Sequence, residues 1–185
     1  MSTENHEAAC ASTRSVLASL QADHMAVQTP CESWDVAGVI NHVVGGTHFF
    51  AAGMRGEQPQ EGQDWASGDY LAAFDSAVAE SVAAFQAEGA LEKTISLPFG
   101  DMPGSAVMGL ATTDTFTHGW DLAKATGQDT NLAPELASAL HQQSRQMIQP
   151  AFRGEDGQAP FGMQQECEDD VCAADQLAAF LGRTV

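Results

Sequence analysis

The stretch from Gly104 to Gly127, GSAVMGLATTDTFTHGWDLAKATG, decides how this chain is read. On a helical wheel of about 100° per residue, Val107, Leu110, Ala111, Leu122 and Ala125 share one stripe. Helix is therefore expected from about Gly104 to Thr126, with Gly127 as its stop. Asp114 and His118 are one helical turn apart and lie on that same stripe. The helix thus carries a carboxylate and an imidazole where core side chains belong, and an unpartnered buried carboxylate is costly. A divalent metal is one remedy, because Asp oxygen and His nitrogen are ordinary zinc ligands at about 2.0–2.2 Å. A hydrogen-bonded Asp–His pair without metal is another. Taken alone, this helix is better explained by the pair, since D-x3-H is a short pattern with many false positives.

Working outward, the same spacing gives five more helices. A first runs from Glu4 to about Asp23 with Val16, Leu17 and Leu20 inward, its ends placing His6 and His24 in solvent. Pro30 keeps Thr29 extended, and Ser33 or Asp35 then caps a second helix with Val36, Val39, Ile40, Val43, Val44, Phe50 and Ala51 inward. After a loop from Met54 to Gly68, a third helix spans Asp69 to Glu88, with Leu71, Phe74, Val78, Val82 and Phe85 inward. Thr94 to Leu97 is a short extended piece before a turn at Pro98–Asp101, so a small hairpin is expected near 94–103. A fifth helix opens at Pro134 and continues to about Ile148, residues 152–170 are irregular, and a short helix closes the chain at Ala173–Leu181. The expected fold is all-α: an antiparallel four-helix bundle with a short extra C-terminal helical segment, in one domain covering 1–185.

The second helix bears on the metal. His42 sits beside its apolar arc, with Gly38 one turn before, Gly46 one turn after, and Gly45 and Gly53 on the same broad side. Each glycine costs a helix roughly 1 kcal/mol relative to alanine. Bare backbone around one histidine leaves room for a ligand, or only for close helix packing, and on this helix the two explanations stand level. His48 points roughly 120° away from His42 and does not share its site. His141 has no acidic partner at turn spacing. Asp121, three residues after His118, is placed to receive that imidazole's free N–H, as the partners of metal-bound histidines do, or else is a surface or capping carboxylate.

Composition limits the partners. The 185 residues carry 25 acidic against 7 basic side chains, a formal net charge of −18, which repels phosphate and excludes nucleic acid and anionic membrane surfaces as partners. No apolar run approaches the roughly 20 residues that span a bilayer. The polar start, residues 1–7, is unlike a signal peptide, so a cytoplasmic location is expected. The four cysteines, Cys10, Cys31, Cys167 and Cys172, are then expected to be reduced, with a Cys167/Cys172 zinc clip disfavoured by the acidic run Glu166, Glu168, Asp169 and Asp170.

The run from Thr29 to Val36 (TPCESWDV), followed by Asn41–Gly46 (NHVVGG), resembles the entry segment of the DinB-like metal-binding bundles. The branch it resembles is that of the N-terminal domain of mycothiol-dependent maleylpyruvate isomerase. Asp114-x3-His118-Gly119-Trp120-Asp121 with Ala125-Thr126-Gly127 is similar to that branch's second hallmark, and the Leu97–Gly100 turn and the Leu177–Arg183 close fit its small members. The resemblance implies one divalent ion, zinc first with nickel and manganese as alternatives, held by His42, Asp114 and His118. It implies a metal-dependent enzyme acting with a low-molecular-weight thiol, as a mycothiol S-transferase would; a non-catalytic metal-binding or partner-binding module is the alternative. A homodimer stays open. The isomerase has glutamate where this chain has Asp114, and a separate C-terminal domain helps form its active site, so maleylpyruvate isomerisation itself is not expected. No side chain stands out as a general base, and none as a fourth metal donor.

Overall fold

The computed structural model describes residues 2–60, 62–155, 158–168 and 170–185. Asp169 of the acidic run lies outside the described residues. Helices α1 (Thr3–Ala18), α2 (Val36–Arg55), α3 (Tyr70–Gln86) and α4 (Gly104–Ala125) form the bundle. Strands β1 (Thr94–Leu97) and β2 (Gly100–Pro103) make the antiparallel hairpin, with Ile95 paired to Met102. Helices α5 (Pro134–Met147) and α6 (Ala173–Phe180) pack on each other and lie against the bundle. Among the described residues no helix is long and apolar enough to cross a membrane.

The helix starts follow local chemistry. Asp35 caps α2 by accepting from the Gly38 N–H at 2.8 Å, and Asp69 caps α3 through the Ala72 N–H at 3.0 Å. Helix α1 ends at Ala18, five residues before the expected Asp23, because Ser19 and Leu20 fold their N–H groups back onto Val16 and Leu17 and a 3-10 turn follows at Ala22–His24.

Contacts fix the helix directions. His6 meets Ser81, Arg14 meets Asp75, and Glu7 meets Gln86, so α1 and α3 are antiparallel. His42 meets Asp114, while an added Cβ at Gly104 would touch Met54, so α2 and α4 are antiparallel too. His6 near Thr112 and Thr13 near Thr115 make α1 parallel to α4, and α2 therefore runs parallel to α3. A parallel α2/α3 pair forces the connection 56–69 to travel back along α2. On the way Asn41 accepts from the Ala66 N–H at 2.9 Å and donates to Asp64 at 3.2 Å, and Trp65 stacks on His48.

The core has three centres. Val36, Val39, Ile40, Val43, Val44 and Phe74 join Leu17 and Leu122 between the helices; Phe85, Ile95, Leu97, Val107 and Met108 fill the hairpin end; Trp120, Phe116, Leu140 and Leu177 seat α5 and α6. On α3 the fully buried line is Phe74, Ala77, Ser81, Ala84 and Phe85, with Leu71, Val78 and Val82 half-buried on its flank.

His6 corrects the sequence expectation: it is 1% exposed, not solvated. It sits on the inner face of α1, where Ser81 lies 2.8 Å from Nε2 and Thr112 lies 3.2 Å from Nδ1. The Thr112 hydroxyl already donates to the Met108 carbonyl, so it accepts from Nδ1–H, and Nε2 accepts from Ser81. Burial lowers the His6 pKa from 6.5 to about 4. The unfolded chain takes up this proton below about pH 6.5 and the folded one resists until about pH 4, so the contribution of neutral His6 is full above 6.5 and is lost as pH falls towards 4. The total is on the order of 3 kcal/mol. Urea unfolding of metal-free protein at pH 7 and pH 4.5 should show the gap between wild type and His6→Gln shrinking at the lower pH. An equal gap at both would contradict a buried neutral histidine.

Candidate metal centre

Helix α2 presents His42 and helix α4 presents Asp114 and His118 to one partly exposed cluster. The candidate donor atoms of these three residues all lie within 4.8 Å of one another. His42 Nε2 is 3.1 Å from Asp114 Oδ1, and His118 Nε2 is 3.6 Å from the same oxygen. The side chains of His42 and Asp114 are 31% and 27% exposed and that of His118 is 8%, so small molecules can approach from the His42–Asp114 side. Trp34, just before α2, stacks on the His42 ring with centroids 4.4 Å apart.

Asp121 is where its spacing suggests, at 0% exposure, with Oδ2 2.9 Å from His118 Nδ1. That carboxylate also takes two hydrogen bonds from Arg183, Nε to Oδ1 at 3.2 Å and Nη2 to Oδ2 at 3.0 Å. Burial disfavours its charge, but the His118 hydrogen bond and Arg183 outweigh burial and hold its pKa below the usual carboxylate value. An ionised Asp121 can only accept, so Nδ1 of His118 carries the proton and the Nε2 lone pair faces Asp114 and His42. This is the tautomer that metal ligation needs.

Burial also opposes charge on His42 and Asp114, and their mutual attraction and hydrogen bond outweigh it. The His42 pKa is raised and the Asp114 pKa lowered, so each group favours the charged form of the other. The donor set suits a divalent ion: a carboxylate and two imidazoles, one of them held in its coordinating tautomer.

The glycines of α2 divide their labour. A Cβ at Gly38 would touch Trp34 at 3.0 Å and one at Gly53 would overlap Leu97 at 2.6 Å, so these two serve packing. A Cβ at Gly46 would stand 3.4 Å from Asp114 Oδ2 and 3.9 Å from His42 Nε2, ordinary contact distances, so this glycine lies beside the donor atoms without being required by them. His48 is apart from the cluster, with Glu80 and Trp65. His24 caps its own turn through Gln21, and His141 lies against Phe180.

Three residues escaped the sequence reading. Trp34 and Arg183 carried no periodic signal. Nothing in the sequence marks Cys31 as a donor, yet its sulfur groups with His118 and Asp121, donor atoms again within 4.8 Å. Both Asp121 oxygens are engaged by Arg183 and His118, so that second group is less suited to a cation than the first. Cys167 and Cys172 belong to neither donor group found among the described residues.

The sequence signature of the mycothiol maleylpyruvate isomerase N-terminal domain matches residues 6–123, and the chain belongs to that DinB-like family. It is similar to the uncharacterized protein Rv0738 of Mycobacterium tuberculosis strain H37Rv, 41% identical over 180 residues, which is 97% of this chain and 96% of the relative. The uncharacterized protein MT0763 of strain CDC 1551 is similar to the same degree, 41% over 180 residues with 97% and 96% covered. No solved structure matches.

Proposed function

We propose that this protein binds one divalent ion, zinc first with nickel and manganese as alternatives, through His42, Asp114 and His118, and with it activates a low-molecular-weight thiol as a mycothiol-dependent transferase would. The convergence of three donor groups, two of them partly exposed, carries the reading. The thiol follows from the family, whose name specifies mycothiol. Three protein donors leave a position open, as catalytic zinc sites do. A divalent ion there supplies Lewis acidity that lowers the pKa of a thiol. The chain's own part is to orient: Asp121 fixes His118 and Trp34 restrains His42.

One observation favours a second reading, a non-catalytic metal-binding module. The Cys31 sulfur forms a second group of possible donors with His118 and Asp121, apart from His42 and Asp114, and a donor set that includes cysteine is what structural zinc sites use.

Metal analysis of the purified protein, then titration of its cobalt form with small thiols, separates the two. The enzyme reading expects thiolate-to-metal charge-transfer bands to appear on adding thiol. Bands already present without thiol and removed by Cys31→Ser would establish the module. Stripped protein that takes up no zinc, nickel or manganese and gains no thermal stability from them would sink both.

Protons compete with metal at the imidazoles, so affinity should fall with pH. Because the His42 pKa is raised, the fall should begin above the ordinary histidine value of about 6.5. Zinc affinity that is constant between pH 8 and pH 5.5 would count against histidine ligation.

A further inference from the structure

The signature match ends at residue 123, yet a side chain from far beyond it reaches the back of the donor cluster. Helix α6 is seated by Leu177, Ala178 and Leu181, and by a hydrogen bond of 2.8 Å from the Trp120 indole N–H to Asp175. Leu181 caps the helix, and Gly182 follows with φ +102°, a conformation that L side chains rarely adopt. A Cβ there would also stand 2.6 Å from the Gly162 Cα, so two glycine backbones touch at this turn. The turn is closed by the Arg183 N–H donating to the Ala178 carbonyl at 3.0 Å. Arg183 is thereby aimed inward, its side chain 13% exposed, with two nitrogens on the two oxygens of Asp121.

We infer that Arg183 is a positioning residue for the metal centre: its fork fixes the plane of the Asp121 carboxylate, and Asp121 fixes the ring of His118. The inference rests on the metal reading proposed above. The Asp121 carboxylate can rotate about its terminal torsion, a broad and soft degree of freedom. Two parallel N–H···O bonds from a planar guanidinium remove that freedom, which a single ammonium cannot do equally well. With the carboxylate fixed, Oδ2 stays 2.9 Å from His118 Nδ1 and the opposite nitrogen stays aimed at Asp114 and His42. The C-terminal segment thus completes a site whose donors all lie within the family-matched region.

The test is a double-mutant cycle on zinc affinity by calorimetry, with folding checked by circular dichroism. Arg183→Met should weaken zinc binding about 10- to 100-fold, the usual cost of losing a group that supports a ligand. Arg183→Lys should fall between wild type and Arg183→Met. If the arginine acts through Asp121, the double variant Arg183→Met/Asp121→Asn should bind within about threefold of Asp121→Asn alone, whereas independent effects would multiply. Wild-type affinity in Arg183→Met, or a full multiplicative loss in the double variant, would overturn the inference. A second readout needs no metal. In 15N-labelled metal-free protein the Nδ1–H signal of His118 should be protected from exchange, and Arg183→Met should expose it. Unchanged protection overturns the positioning role, and this holds even if wild type binds no zinc, a result that defeats only the metal reading.

Discussion

Asp114→Ala is expected to weaken zinc binding by more than about 100-fold, the largest functional effect of any single substitution in this chain. Losing a group that merely supports a ligand costs about 10- to 100-fold, and Asp114 is itself a proposed donor, the only carboxylate of the three. Without it, two imidazoles remain whose ring centroids are 4.5 Å apart, and the His42 ring loses the hydrogen bond that holds it at 3.1 Å. Asp121→Asn should cost less, because the amide oxygen can still accept from His118. The same ordering should appear in the melting temperature under saturating zinc, since ligand that binds only the folded state adds stability in proportion to the logarithm of its excess over Kd. Calorimetric titration of both variants checks this, and Asp114→Ala protein with affinity within threefold of wild type would remove Asp114 from the donor set.

Trp120→Ala is expected to produce the largest loss of stability. The indole is 1% exposed and is packed among Phe116, Leu136, Leu140, Leu177 and Phe180, where α4 meets α5 and α6. Truncating a fully buried aromatic costs about 3–5 kcal/mol, and in a protein of this size that lowers the melting temperature on the order of 10 °C. The Asp175 carboxylate also loses its indole donor. Trp120→Phe keeps most of the packing and loses that hydrogen bond, so it should cost on the order of 1 kcal/mol. Urea unfolding of the two variants separates packing from hydrogen bonding, and a cost below 1 kcal/mol for the alanine variant would mean that α6 is not seated on this side chain.

The sequence by itself determined the helices and singled out the candidate donor residues. Helical periodicity is local, so the apolar stripes of α2 and α4 could be counted without knowing what they face, and Asp114 and His118 stood out as polar interruptions of one stripe. Asp121 was legible for the same reason, being one turn from His118 on the same helix. Cap residues such as Asp35 and Asp69 act on N–H groups three residues away, again within reach of a sequence window.

Tertiary structure decided everything that depends on which helices meet. His6 looked like a solvated residue at a helix end, yet the parallel packing of α1 and α4 brings Thr112 to its ring, and α3 brings Ser81. The parallel course of α2 and α3 sends the connection 56–69 past Asn41 and His48, an outcome of chain direction that no periodicity records. Cys31 and Arg183 lie more than 150 positions apart and meet the same Asp121–His118 pair, Arg183 through its hydrogen bonds and Cys31 through proximity. A side chain's partner across such a distance is set by the packing of whole helices, here by the seating of α6 against Trp120 and the turn at Gly182. The physical reason is the range of the interactions: backbone geometry and capping act within a few residues, whereas burial, and the charges it obliges to pair, are properties of the assembled core.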